Sequence, residues 1–242
     1  MRVTRVFVDA PLAVGAKLAL PGDVTAYLSR VLRLRPGDAC VLFNGDGNDY
    51  DARLLALDKR GAEAEVVDVA AVANESPLRI VLLQGIARGE KMDLVLQKAT
   101  ELGVAEVVPV DSDRSEVRLQ GERLDKRVAH WRGVVAAACG QCGRARVPEV
   151  RPPRPLEEAL EALPPLPGYL LDPGAGQSIG TLAGLAEGCV LAVGPEGGWS
   201  PRDRERLHAA GFAGLRLGPR ILRTETAGIA AIAALQSRFG DL

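Results

Sequence analysis

The sequence predicts an α/β protein in two parts. Three observations carry this. Residues 1–72 read as β-rich, and Glu63–Val69 alternates with the period of two that half-buried strands need. After Ala73-Asn74-Glu75-Ser76-Pro77 the pattern changes to short apolar runs alternating with helical stripes, which implies a mostly parallel sheet covered by helices on both faces. Two turns rich in glycine and proline, at 194–201 and 217–227, each leave an apolar run and enter a helix-like stretch. The expected boundaries are 1–72 for a barrel-like β module, 73–77 for a linker and 78–242 for the α/β domain.

In the first part, Arg2–Val8 reads as a strand. Val24–Leu32 reads as a short helix ending before the turn Arg35-Pro36-Gly37-Asp38. Val41–Phe43 and Tyr50–Leu54 flank Asn44-Gly45-Asp46-Gly47-Asn48-Asp49, a hairpin loop built from residues that tolerate positive φ. Glu63–Val69 is a further alternating strand. In the second part, strands are expected at 78–83, 106–110, 169–171, 189–193 and 215–217. Met92, Val95, Leu96, Ala99 and Leu102 share one helical face, with Gly103 placed to stop the helix. Leu124, Val128, Trp131, Val135 and Ala138 form a second stripe.

Composition bounds the function. Hydrophobic residues make up 47% and charged residues 25%, ordinary values for a globular chain, while aromatics reach only 4%. No apolar segment follows Met1-Arg2-Val3-Thr4-Arg5 as a signal peptide requires, and no apolar run is long enough to span a bilayer, so a cytoplasmic protein is expected. The formal charge is −1 but uneven. Residues 1–75 carry −2, 76–155 carry +4 and 156–242 carry −3, counted from the sequence. A basic middle in a mildly acidic chain fits a localised nucleic-acid contact. Two histidines give poor support to Ser-His-Asp hydrolysis, and Cys139-Gly-Gln-Cys142 has no second pair with which to hold zinc. No metal site is expected, and the two cysteines read as small helix residues.

The 194–201 turn has a local reading. Ser200 suits a helix N-cap, Pro201 the first helical position and Asp203 the third, with Gly211 ending the helix. Gly194, Gly197 and Gly198 permit close approach of a ligand to the backbone. The spacing is not a dinucleotide fingerprint, and no Lys-Ser/Thr follows to make a P-loop. A backbone-lined pocket without a phosphate-binding lysine suits a neutral or cationic adenosine ligand.

Gly194-Pro195-Glu196-Gly197-Gly198-Trp199-Ser200, followed by Leu217-Gly218-Pro219-Arg220-Ile221-Leu222-Arg223-Thr224-Glu225-Thr226-Ala227, resembles the signature of the ribosomal RNA small subunit methyltransferase E family. The likeness extends through Lys91-Met92-Asp93, Gln97–Gly103, Arg114-Ser115 and Gln141-Cys142-Gly143-Arg144 to Val31–Asp38. It implies an N-terminal PUA-like RNA-binding β-barrel and a C-terminal SPOUT α/β domain with a trefoil knot. It further implies a homodimer, S-adenosyl-L-methionine as cofactor and N3 of a uridine in 16S rRNA of the small ribosomal subunit as the methyl acceptor. Backbone groups around Leu171, Asp172, Gly194, Gly198, Leu217, Gly218 and Leu222 would then cradle the cofactor. Arg223 is the first candidate to face the uridine, and Glu196 is either a general base or a structural carboxylate. Arg30, Arg33, Lys91, Lys98, Arg114 and Arg144 are candidates for RNA, and Trp199 for an apolar lid. The rival readings are a ribose 2′-O specificity on the same fold and an RNA-binding module without catalysis.

Overall fold

The computed structural model describes residues 4–58, 61–185 and 187–242. The chain divides into two compact units, Met1–Glu75 with Ala136–Val147, and Ser76–Val135 with Pro148–Leu242. The break at Glu75/Ser76 falls inside the expected linker. Ala136–Val147, expected in the second domain, counts with the first unit.

The first unit holds β1 (Arg5–Phe7), β2 (Lys17–Leu20), α1 (Gly22–Ala26), β3 (Ala39–Phe43), β4 (Asn48–Leu57) and β5 (Ala62–Ala71). Its sheet runs in the order β1-β3-β4-β5-β2. β1 lies parallel to β3, and the remaining pairs are antiparallel. Alternation does what the sequence implies: Tyr50, Ala52 and Leu54 of β4 and Ala62, Ala64 and Val66 of β5 enter one core with Leu28 and Leu42. Register shifts at Asp51/Ala52 and Leu54/Ala56 bend the long β4–β5 pair, as bulges do. Of the strand expected over 2–8, Arg2 and Val3 lie outside the described residues. The helix expected over 24–32 is α1 continued by a π-helical turn, Tyr27–Val31, and Arg33 follows with φ 55°. β2 was not legible, being four residues with a lysine at its head.

A buried ion-pair cluster closes this unit. The Arg5 guanidinium donates to both carboxylate oxygens of Asp49, at 3.1 and 2.5 Å, and to the carbonyls of Cys139 and Arg144. Arg144 in turn is held by both oxygens of Glu75.

The second unit contains β6 (Ile80–Gly85), α2 (Glu90–Glu101), β7 (Glu106–Asp111), α3 (Glu122–Cys142), β8 (Glu149–Val150), β9 (Arg154–Pro155), α4 (Leu156–Glu161), β10 (Gly168–Leu171), β11 (Cys189–Val193), α5 (Pro201–Ala209), β12 (Ala213–Leu215) and α6 (Thr224–Phe239). The end of α3 falls in Ala136–Val147. The sheet order is β12-β10-β11-β6-β7-β8, with β9 also on β7, and every pair is parallel. β6 and β11 are buried at every position, as strands covered on both faces should be. Val81, Leu83, Val190 and Ala192 share a core with Leu156 and Ala159 of α4 and Leu207 of α5. On the other face Gly228 of α6 lies against Val193 and Gln84. The expected apolar stripe of α2 is buried at Met92, Val95, Leu96 and Ala99, and Gly103 takes φ 83° just beyond the helix. Among the described residues no helix is long and apolar enough to cross a membrane.

Candidate active site

β10, β11 and β12 are neighbours in the sheet and point the same way, so their carboxyl ends open onto one edge. Ligands of open parallel sheets bind at such ends, where backbone N–H and C=O groups leave the ladder. A cavity of about 450 Å³ lies there, within the range of small-molecule sites. All seven residues expected to cradle a cofactor line it: Leu171 and Asp172 after β10, Gly194 and Gly198 after β11, Leu217, Gly218 and Leu222 after β12. Glu196, Lys91 and Arg223 line it too.

The turn after β11 is held on several sides. Thr224, at the start of α6, donates its hydroxyl to the Gly194 carbonyl at 2.5 Å and accepts from Gln84 Nε2 at 3.1 Å. Gly198 takes φ 67° and its N–H closes the turn onto the Pro195 carbonyl at 2.9 Å. Gly85 lets the turn approach β6: a Cβ there would stand 2.5 Å from the Pro195 ring and 2.6 Å from its nitrogen. Ser200 and Asp203 form a capping box at α5 with Pro201 behind Ser200, as the sequence predicts.

Glu196 is a structural carboxylate here. Its Oε1 accepts from the Arg88 N–H at 3.0 Å and from Lys91 Nζ at 3.2 Å. Burial alone would raise its pKa; the hydrogen bonds from the Arg88 and its own N–H groups and from Lys91 outweigh that, and hold it below the ordinary carboxylate value. A carboxylate so held is a poor proton acceptor, which favours the structural one of its two expected roles. Asp172 is likewise committed, accepting from the Gly174 N–H and pairing with Arg204.

Arg223 differs. It sits at the N-cap of α6 in an extended conformation, exposed at the cavity wall, and makes no ion pair among the described residues. Among the described residues it pairs with neither of the nearby carboxylates Glu225 and Glu196, and Glu196 is taken by Lys91. Trp199 is only 3% exposed and belongs to the core with Val81 and Leu83, so it is a floor beneath the turn rather than the expected lid.

The structure separates the RNA candidates. Arg30 and Arg33 are exposed on the first unit. Arg114 is exposed in the loop after β7 and spends one donor on the Gly197 carbonyl at 2.9 Å. Lys98 pairs with Glu101 on its own helix at 2.9 Å. Arg144 is corrected: it is 5% exposed and engaged by Glu75 at 2.5 Å, so its charge is used inside the protein and not presented to phosphates. Burial pushes the Cys139 thiol up to about 12, only partly opposed by Arg144, which leaves it a poor thiolate and supports the reading of Cys139 as a small helix residue. Gln84, Arg88, Asp113 and Thr224 escaped sequence reasoning as site residues. Only the threonine's place beside Arg223 in the 217–227 stretch could have signalled it.

Comparison with known proteins agrees with this geometry. The RNA methyltransferase domain family matches residues 74–236, and the RNA methyltransferase PUA domain matches residues 20–67. The ribosomal RNA small subunit methyltransferase E of Buchnera aphidicola subsp. Schizaphis graminum is 33% identical over 249 aligned positions, covering 100% of this chain and 98% of that protein. The protein of the same name from Bacillus subtilis is 26% identical, covering 90% and 88%. Among solved structures, the ribosomal RNA small subunit methyltransferase E of Neisseria gonorrhoeae bound to S-adenosyl methionine has a TM-score of 0.91 and 40% identity, with 100% of both chains covered. A putative methyltransferase of Legionella pneumophila in complex with the same cofactor has a TM-score of 0.96 and 34% identity, again over 100% of both chains. A parallel sheet with its cavity at three adjacent strand ends, matched over nine-tenths or more of the chain by these relatives, leads to one assignment: the chain belongs to the ribosomal RNA small subunit methyltransferase E family.

Proposed function

We propose that this protein transfers a methyl group from S-adenosyl-L-methionine to N3 of a uridine in 16S rRNA of the small ribosomal subunit. The observation that carries the reading is the cavity at the ends of β10, β11 and β12, walled by backbone and by Arg223, which makes no ion pair among the described residues. Its volume and glycine-lined walls suit an adenosine ligand, and relatives covering the whole chain hold S-adenosyl methionine. When bound, that cofactor supplies an electrophilic methyl on a sulfonium whose leaving group departs neutral.

The chain's own residues do the rest. The turn after β11 fixes one wall through Thr224, Gly198 and Glu196, so the cavity is shaped before the ligand arrives. Uridine N3 carries a proton on its pairing edge, so the base must be unpaired or flipped out to react. Arg223, at the cavity wall, stabilises negative charge on the uracil oxygens as N3 gives its proton to water. Arg30, Arg33 and Arg114 serve phosphate contacts, being exposed on their units.

The first unit acts in this reading as the PUA-like RNA-binding module, and the loops that follow β10, β11 and β12 as the knotted segment. A homodimer belongs to the same proposal: Leu94 of α2 is exposed, and α6 leaves Ile229, Ala230 and Ala233 only half-buried beside its packed stripe. A cytoplasmic site of action follows from an rRNA substrate. Methylation of small subunits lacking the modification, read by nucleoside mass spectrometry, tests the reading. 3-Methyluridine is the expected product, and a 2′-O-methyl nucleoside in its place would sink it.

A further inference from the structure

The capping box of α5 does more than a cap requires. Capping needs only Ser200 and Asp203, and their two reciprocal bonds are present: the Asp203 N–H donates to Ser200 Oγ at 2.9 Å, and the Ser200 N–H to Asp203 Oδ2 at 3.2 Å. Yet both side chains also reach the loop after β7. The Ser200 hydroxyl donates to Asp113 Oδ2 at 2.7 Å, and the Asp113 N–H donates to Asp203 Oδ2 at 3.3 Å. Asp203 is 0% and Ser200 7% exposed, so water competes little for these bonds.

The next residue of that loop is Arg114, whose guanidinium donates to the Gly197 carbonyl, a group of the turn that lines the cavity. Contact there is close: a Cβ on Gly197 would lie 3.2 Å from the Arg114 Cβ. The loop itself is stiffened by Ser115, whose Oγ accepts the Ser112 N–H at 3.1 Å and meets the Ser112 hydroxyl at 3.0 Å. One exposed arginine is thus fastened to the cofactor wall through its side chain, and its loop through Asp113.

We propose that Asp113, Ser200 and Asp203 form a latch that couples RNA binding at Arg114 to cofactor binding at the 194–200 turn. This rests on the methyltransferase reading above. Asp113, Ser200 and Asp203 are positioning residues: they set where Arg114 stands relative to the wall that the cofactor contacts. Any ligand that binds the latched arrangement better than an opened one then holds Arg114 in place, and by linkage RNA does the same for the cofactor.

The test measures binding of unmodified 16S rRNA to the full chain, with and without S-adenosylhomocysteine, which allows no turnover. For the native chain the cofactor product should strengthen RNA binding by roughly tenfold, within the usual span of such coupling. Asp113→Ala leaves the cap of α5 intact. It should keep RNA affinity without cofactor within about threefold while reducing the cofactor effect to about twofold. Ser200→Ala should lose coupling in the same way, and Ser200→Thr, which keeps the hydroxyl, should restore it. Undiminished coupling in Asp113→Ala, or native protein that binds both ligands without coupling, overturns the latch. Native protein that binds neither ligand overturns the methyltransferase reading instead.

Discussion

The two turns that wall the cavity are built in opposite ways. The one at 194–200 is tied to β6 through Gly85, to α2 through Glu196 and Lys91, to the β7 loop through Arg114 and to α6 through Thr224. The one at 217–222 makes no hydrogen bond or ion pair among the described residues, and its Ile221 is 85% exposed. Both carry the same glycine and proline punctuation, so composition does not distinguish them. The difference teaches a division of labour: one wall is shaped in advance, and the other is left to be ordered by what binds. Pre-organisation lowers the cost of holding reactants in line, while a loosely held wall can close over them afterwards.

Four substitutions and one exchange measurement set this contrast at risk. Arg223→Ala, at the edge of the loose wall, should lower turnover by at least about a hundredfold, the scale of losing one preorganised charge-stabilising donor. Cofactor affinity measured by calorimetry should change by less than about threefold, and equal losses in both would make Arg223 a cofactor residue. Gly85→Ala should act on the fixed wall. With a Cβ 2.5 Å from Pro195, backbone must shift, costing about 2–3 kcal/mol in thermal or denaturant unfolding.

Thr224→Val removes the hydroxyl that joins Gln84 to Gly194. Cofactor binding should weaken by about 1–2 kcal/mol, the cost of leaving a buried amide and carbonyl short of a partner. Hydrogen exchange compares the walls directly. The amides of 217–222 should exchange quickly without ligand and several-fold more slowly with S-adenosylhomocysteine, while Gly198 stays protected in both states; equal behaviour would dissolve the contrast.

Glu196→Gln gives the smallest effect, and pH identifies it. Because the folded carboxyl is held below its ordinary value of 4.5, its contribution is fully present above that value and is lost as pH falls through the lowered one. The native chain should therefore exceed the variant by roughly 1 kcal/mol or less at neutral pH, since the group is partly exposed, and the gap should close as pH falls from 4.5 through the lowered value.

Much of this was legible in the residues. Period-two alternation located β4 and β5, helical spacing located α2 and α3, and Ser200-Pro201 marked the start of α5, because these signals are local and one face of each element must be buried. The two turns were placed at a ligand site because strands of a parallel sheet release their turns at their carboxyl ends, while the individual cofactor residues came from the family resemblance. Arg144 was placed at the RNA, and Glu196 left between two roles, for a common reason. A charged side chain looks alike in sequence whether it faces solvent or a buried partner, and Glu75 and Arg88 lie 69 and 108 residues away from them.

By itself, then, the sequence determined the types of the longer elements and the two turns that wall the cavity, since propensity and periodicity act over a few neighbouring residues. Tertiary structure alone decided which turn is rigid, which carboxylates are already spent, and that Arg223 makes no ion pair among the described residues. Those depend on hydrogen bonds between residues far apart in the chain, such as Thr224 with Gly194 and Asp113 with Ser200, and no local pattern encodes them.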